Sequence, residues 1–147
     1  MIKIVNMQSI HTHQVAELEK LCFSDPWSEN SIAGELDNPL SLWLVALDGD
    51  AVAGYVGSQS VLGESDMMNI AVHPDCRRQG VAEALIAELV RQLKARENHC
   101  LTLEVRASNA AAIKLYEKLS FAQIGRRPNY YRNPKEDALI LRKEWQL

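Results

Sequence analysis

The sequence predicts an α/β (α+β) fold: a mixed, mostly antiparallel central sheet with helices on both faces. Three observations predict it. The hydrophobic period switches repeatedly between the two-residue repeat of a strand and the near-four-residue repeat of a helix. Some apolar runs are joined by tight polar turns and others by helix-length segments, which calls for hairpins and crossovers in one sheet. No repeat, low-complexity tract or Pro/Gly/Ser-rich linker breaks the 147 residues, so residues 1–147 are expected to form one domain. A chain of that length buries roughly 68–70% of the surface its unfolded form exposes and needs no staples.

"IKIV" reads as the first strand, and "SIHTHQVAELEKLCF" as a helix behind a Ser9 cap, with Ile10, Val15, Leu18, Leu21 and Cys22 near helical spacing. "DPWSENSIAGELDNPL" predicts a turn and a short helix, opened by Ser28 and stopped at Asn38-Pro39. "SLWLVALDGDAVAGYVGSQSVL" gives two strands around Asp48-Gly49-Asp50, a hairpin signal, and "ESDMMNIAV" adds a third to the meander. From Gly80 the period changes: Val81, Leu85, Leu89 and Leu93 recur every four residues, an amphipathic helix. "CLTLEV" alternates Leu101, Leu103 and Val105 on one face with Thr102, Glu104 and Arg106 on the other. "SNAAAIKLYEKL" predicts a further helix, and "FAQIGRR" with "EDALILRKEW" two closing strands around a polar loop that holds Tyr130 and Tyr131.

Sixteen basic against nineteen acidic residues give a formal net charge of −3, which removes any general attraction to nucleic acid or anionic lipid. An anion site must therefore be local. The three cysteines, Cys22, Cys76 and Cys100, lack the spacing of a zinc site or a redox dithiol and read as reduced thiols. No metal is expected, since His11, His13, His73 and His99 also lack ligand spacing. "MIKIVNMQSIHTHQ" has no signal-peptide core and no apolar run approaches the roughly 20 residues of a membrane span, so a cytoplasmic protein is expected.

The local anion site is sought in "HPDCRRQGVAEALI", where a strand turns into a helix through Arg77, Arg78, Gln79 and Gly80. A helix begins with backbone N–H groups that have no partner, and its dipole favours negative charge there. Arginine adds charge-assisted donors matched to phosphate. Taken alone, the same residues also fit a solvated surface turn. Neither the phosphate loop ending in Gly-Lys-Ser/Thr nor the three-glycine dinucleotide fingerprint is present.

"NIAVHPDCRRQGVAEALI" resembles the acetyl-CoA pyrophosphate motif of the Gcn5-related N-acetyltransferases (GNAT), Arg/Gln, two residues, Gly, one residue, then Gly or Ala. Arg77, Gly80 and Ala82 fit it. The resemblance implies a GNAT fold and acetyl-CoA as cosubstrate. Its diphosphate would lie on the turn of Arg77, Arg78, Gln79, Gly80, Val81 and Ala82, and its pantetheine arm along Ile70, Ala71 and Val72. "LEVRASNAAAIKLYEKLSF", "FSDPWSE" and "GRRPNYYRNPKEDALIL" resemble the bacterial ribosomal-protein-alanine N-acetyltransferases, the RimI subfamily. That resemblance implies acetylation of the N-terminal alanine of the eighteenth small-subunit ribosomal protein, by direct transfer in a ternary complex. Ser120 stands where the family usually has glycine in Leu-Gly-Phe, Ala82 replaces the commoner glycine, and Glu83 puts a negative charge beside the proposed phosphate site.

By the same resemblance Glu104 is the general base for the amine, Tyr116 the acid for the departing thiolate, Asn109 a cofactor contact, and Trp27, Tyr130 and Tyr131 border the peptide groove. The residues alone leave other readings open: Glu104 in an ion pair with Arg106 on the same strand face, Asn109 as a helix cap, Tyr116 as core, and the three aromatics as packing under loops. Acetylation of a free small amine or of another protein N-terminus, and a non-catalytic acyl-CoA-binding module, also stay open at this point.

Overall fold

The computed structural model describes residues 1–147, and its elements follow the predicted order. Strand β1 (Ile2–Asn6) leads through a 3-10 turn into α1 (Thr12–Cys22) and α2 (Glu29–Glu35). The meander β2 (Ser41–Asp48), β3 (Ala51–Val61) and β4 (Glu64–Val72) follows, then α3 (Val81–Ala95), β5 (Cys100–Arg106), α4 (Ala110–Lys118) and the hairpin β6 (Ala122–Arg132) and β7 (Lys135–Glu144). All seven strands form one sheet in the order β1-β2-β3-β4-β5-β7-β6, antiparallel throughout except between β4 and β5.

Helices cover both faces, as the alternation within β2 requires. Leu42, Leu44 and Ala46 point to a core built with Leu85, Leu89 and Leu93 of α3 and Leu101, Leu103 and Val105 of β5. Trp43 and Val45 point to the opposite core, with Val15 and Leu18 of α1 and Ile32 of α2. The α1/α2 layer packs on β2, β3 and β4, leaving Thr102, Glu104 and Arg106 on that side of β5 only half-buried.

Two features of β4 shape the site. Gly57 pairs with Asn69 but Ser58 with Met67, so Met68 is an extra residue that bulges and bends the strand. Strands β4 and β5 pair only from Glu64↔Cys100 to Asp66↔Thr102; beyond that, β4 runs on to Val72 and β5 to Arg106 unjoined, and a cleft opens between them.

Three expectations are corrected. Ile10 and Leu21 are 75% and 57% exposed, because α1 starts at Thr12 and turns Val15, Ala16, Leu18 and Glu19 inward; Ser9 lies in the 3-10 turn and caps nothing. Helix α2 ends at Glu35, before Asn38-Pro39, although Ser28 does cap it, accepting from the Ser31 N–H. Tyr130 and Tyr131 lie within β6, not in a loop. β6 is one of the sheet's two edge strands, where polar residues and Pro128 are tolerated.

Ser120 replaces the expected glycine without breaking the turn. It adopts the left-handed region, φ 72°, and closes α4 with Ser120 N–H on Glu117 O at 3.0 Å and Phe121 N–H on Tyr116 O at 2.9 Å, a Schellman cap. The cap seats the Phe121 ring edge-on against Tyr116, centroids 5.6 Å apart. A non-glycine residue in this conformation costs roughly 1–2 kcal/mol. Ser120→Gly is therefore expected to raise stability by about 1 kcal/mol in urea unfolding.

Candidate active site

The cleft between β4 and β5 holds two joined cavities. One, of about 620 Å³, is lined by Ile70, Ala71 and Val72 of β4, by Arg77, Arg78 and Gly80, by Val81, Ala82 and Glu83 of α3, and by Asn109 and Tyr116. The other, of about 690 Å³, is lined by Trp27, Met68, Asn69, Glu104, Tyr130 and Tyr131, among others. Ile70, Asn109 and Tyr116 line both. Fourteen of the fifteen predicted site residues thus meet in one channel; the fifteenth, Gln79, does not line it.

The first cavity contains an uncapped helix start. α3 starts at Gly80 with φ 75°, and no side chain caps it. This contrasts with α2 and α4, which Ser28 and Asn109 cap by accepting from Ser31 and Ala112 N–H groups. The first amides of α3 are left for another acceptor. A Cβ on Gly80 would meet nothing within 4 Å, so the glycine serves the left-handed turn. The two arginines differ: Arg77 donates from Nε to the Val72 carbonyl at 3.2 Å, tying the turn to β4, whereas the Arg78 guanidinium forms no bond within the protein. Glu83 does not oppose an anion unaided, since Lys118 of α4 meets its Oε1 at 2.8 Å.

The second cavity carries the titratable groups. Glu104 projects from the polar face of β5, and its Oε2 is buried without a hydrogen-bond partner. Its Oε1 lies 3.6 Å from Arg127 Nε. The expected alternative pairing with Arg106 does not form: Arg106 meets Glu136 of β7 at 3.3 Å, the Pro134 carbonyl at 2.8 Å and the face of Tyr131 at 4.3 Å. That leaves Glu104 free of its own strand. Burial pushes the Tyr116 phenol up to about 12, with a smaller contribution from Tyr131. The Tyr131 phenol is also pushed up to about 12, first by burial and then by Glu104. The Glu104 carboxylate, then burial, raises Tyr130. Asn109 caps α4 and also lines the channel, and Tyr116 is 6% exposed yet borders both cavities.

A channel pairing an anion-receptive helix end with a buried carboxylate and phenol matches what comparison with known proteins returns. The acetyltransferase (GNAT) family model matches residues 12–121. This chain belongs to the GNAT family. It is an N-acetyltransferase. The [ribosomal protein bS18]-alanine N-acetyltransferase of Escherichia coli strain K12 is 40% identical over 126 residues, 84% of each chain. The Salmonella typhimurium enzyme of the same name is 41% identical over 128 residues, 85% of each chain. The crystal structure of the ribosomal-protein-S18-alanine N-acetyltransferase from Escherichia coli superposes with a TM-score of 0.91 at 36% identity, covering 100% of this chain and 96% of that one.

In this GNAT chain, sequence reasoning missed a group beside the channel. Glu19 of α1 is completely buried, and three donors converge on its carboxylate: Trp27 N–H at 2.9 Å, Asn69 Nδ2 at 2.7 Å and the Tyr55 hydroxyl. Burial raises its pKa, and the Trp27 and Asn69 bonds oppose that rise. Trp27 itself packs edge-on against Trp43, centroids 5.4 Å apart, so its packing and lining roles coexist. Glu19 sits among the apolar positions of α1, and that misplaced acid was the available signal.

Proposed function

We propose that residues 1–147 form one domain that transfers the acetyl group of acetyl-CoA to a protein N-terminus, specifically the N-terminal alanine of ribosomal protein bS18, in the cytoplasm where that protein is made. The observation that carries the reading is that Glu104, whose buried Oε2 has no hydrogen-bond partner, lines one channel with Tyr116 and the uncapped start of α3. The names and identity of the relatives support the choice of bS18.

The residues present fit the cosubstrate. The amides at the start of α3 and the free Arg78 guanidinium suit a diphosphate, and the edge of β4 that β5 leaves uncovered over Ile70, Ala71 and Val72 offers backbone groups to an amide-bearing arm. Acetyl-CoA supplies the acetyl group as a reactive thioester. Gln79, outside the lining, is left out of this grip.

A thioester is attacked by a neutral amine only, and an α-amine has a pKa of about 7.7–8.0. Glu104, which lines the channel, accepts the amine's proton through one water. Tyr116 holds a proton for the departing sulfur, its phenol staying neutral across the working range. With both partners in one channel, transfer is direct, in a ternary complex, and needs no acyl-enzyme.

The test is incubation of the purified protein with acetyl-CoA and a peptide carrying the bS18 N-terminus. CoA release and an acetylated α-amine by mass spectrometry are expected; release no faster than without peptide refutes the substrate. Turnover of free small amines with none of the peptide would select the small-amine reading instead. Arg78→Ala is expected to raise the KM for acetyl-CoA about tenfold, the loss of one charge-assisted hydrogen bond, with kcat nearly unchanged. An unaltered KM removes Arg78 from the diphosphate site.

A further inference from the structure

Asn69 lies on β4 immediately after the bulged Met68 and borders both the cavity that holds Glu104 and Tyr116 and a 570 Å³ groove that continues past Glu104 to Arg127. Its side-chain amide has two ends, a donor and an acceptor, and what it offers a ligand depends on which end faces the cavity. The buried neighbour decides this. Glu19 Oε2 stands 2.7 Å from Asn69 Nδ2. The Trp27 N–H and the Tyr55 hydroxyl are also directed at it, so Glu19 stands as an acceptor among donors. Asn69 must therefore turn its nitrogen toward Glu19 and its oxygen away.

That oxygen, Oδ1, takes no hydrogen bond from the protein, and it is not among the buried orphaned atoms, so it opens to the cavity. Glu104, whose buried Oε2 has no hydrogen-bond partner, lines the same cavity. The Tyr130 and Tyr131 hydroxyls line the same cavity, and an outward amide oxygen beside a carboxylate suits a group that carries several N–H bonds and one lone pair: an amine.

We infer that Asn69 Oδ1 accepts a hydrogen bond from the substrate α-amine, and that Glu19 is the positioning residue that fixes Asn69 in this orientation. The inference rests on the proposed transfer to a protein N-terminus and adds to it how the amine is held. With one N–H on Asn69 and another directed toward Glu104, the lone pair is left for the thioester carbon. Glu19 never touches substrate; its effect passes through the Asn69 amide.

Steady-state kinetics with the bS18 N-terminal peptide test this. Asn69→Ala is expected to raise peptide KM about tenfold while the acetyl-CoA KM stays near wild type, and to lower the unfolding midpoint, since it takes one donor from buried Glu19. Glu19→Gln keeps the shape but can also donate, which frees Asn69 to turn over; it should raise peptide KM in the same direction by a smaller factor. In the double variant the effects should not multiply, giving a peptide KM equal to that of Asn69→Ala alone. A folded Asn69→Ala enzyme with unchanged peptide KM, or a double variant in which the two factors multiply, overturns the inference while leaving the proposed function intact. A wild-type enzyme that releases no CoA with the peptide overturns both.

Discussion

Glu104→Gln is expected to lower kcat/KM for the bS18 peptide at least about 100-fold at neutral pH, within the range of 10²–10⁴ typical for loss of a general base. The substitution is isosteric, so it keeps an acceptor beside Arg127 and disturbs neither β5 nor its neighbours. The pH dependence carries the diagnosis. Below the α-amine pKa of about 7.7–8.0 the substrate is mostly ammonium, and the wild-type carboxylate removes its proton. Above that value the amine is already neutral in solution and the carboxylate is needed less. The variant's deficit should therefore shrink as pH rises from 7 to 9, in a rate profile measured with saturating acetyl-CoA. A deficit that is constant across that interval would mean that Glu104 shapes the cavity without handling the proton, and an undiminished rate would remove it from the reaction.

The reason Glu104 is available for this work lies partly outside what a linear sequence displays. Its face was legible: the alternation in "CLTLEVR" puts Leu101, Leu103 and Val105 in the core and Glu104 on the other side, as found. The same alternation puts Arg106 on Glu104's face and offers an ion pair. What breaks that pair is Glu136, brought alongside by the antiparallel pairing of β7 with β5, which no spacing within β5 can foretell. Glu136 also accepts the Ser108 N–H at 2.6 Å, so one acid ties Arg106 to the turn that leads into Asn109.

Local signals read well wherever the local rule and the tertiary fold agree. The four-residue recurrence of α3, the Asp48-Gly49-Asp50 turn and the Ser28 cap are such places. The cleft itself was not legible. It depends on one extra residue, Met68, and on the parting of β4 from β5 after Asp66, both properties of pairing between strands. Glu19 was missed for a related reason: a carboxylate in a helix ordinarily marks the wet face, and only Tyr55, Asn69 and the Trp27 amide, distant in sequence, make burial of this one sustainable.

Tyr116→Phe is expected to lower kcat about 10- to 100-fold with the acetyl-CoA KM within about twofold of wild type. The ring stays packed against Phe121 and the Schellman cap stays closed, so only the hydroxyl is removed. A phenol pushed up to about 12 is a weaker acid than an ordinary thiol, whose pKa is about 8.5. Its proton therefore stays on oxygen until charge develops on sulfur in the same dry channel, where burial makes the thiolate more basic as well. The kcat profile should consequently show no loss assignable to phenol ionisation below about pH 11. The raised pKa also has a consequence for folding. Below about pH 10 the phenol is neutral in both folded and unfolded chains; above it the unfolded chain ionises first, so stability falls as pH climbs from about 10 to about 12. Two pH units correspond to at most about 2.7 kcal/mol from this buried group. Phenylalanine has no proton to lose, so the variant should lose less stability over that interval when unfolded by urea at successive pH values. A slow enzyme whose alkaline stability profile also changes in this way has lost the buried hydroxyl assigned here. Full activity in the variant would instead leave the departing thiolate to be protonated by solvent, and Tyr116 would be core alone.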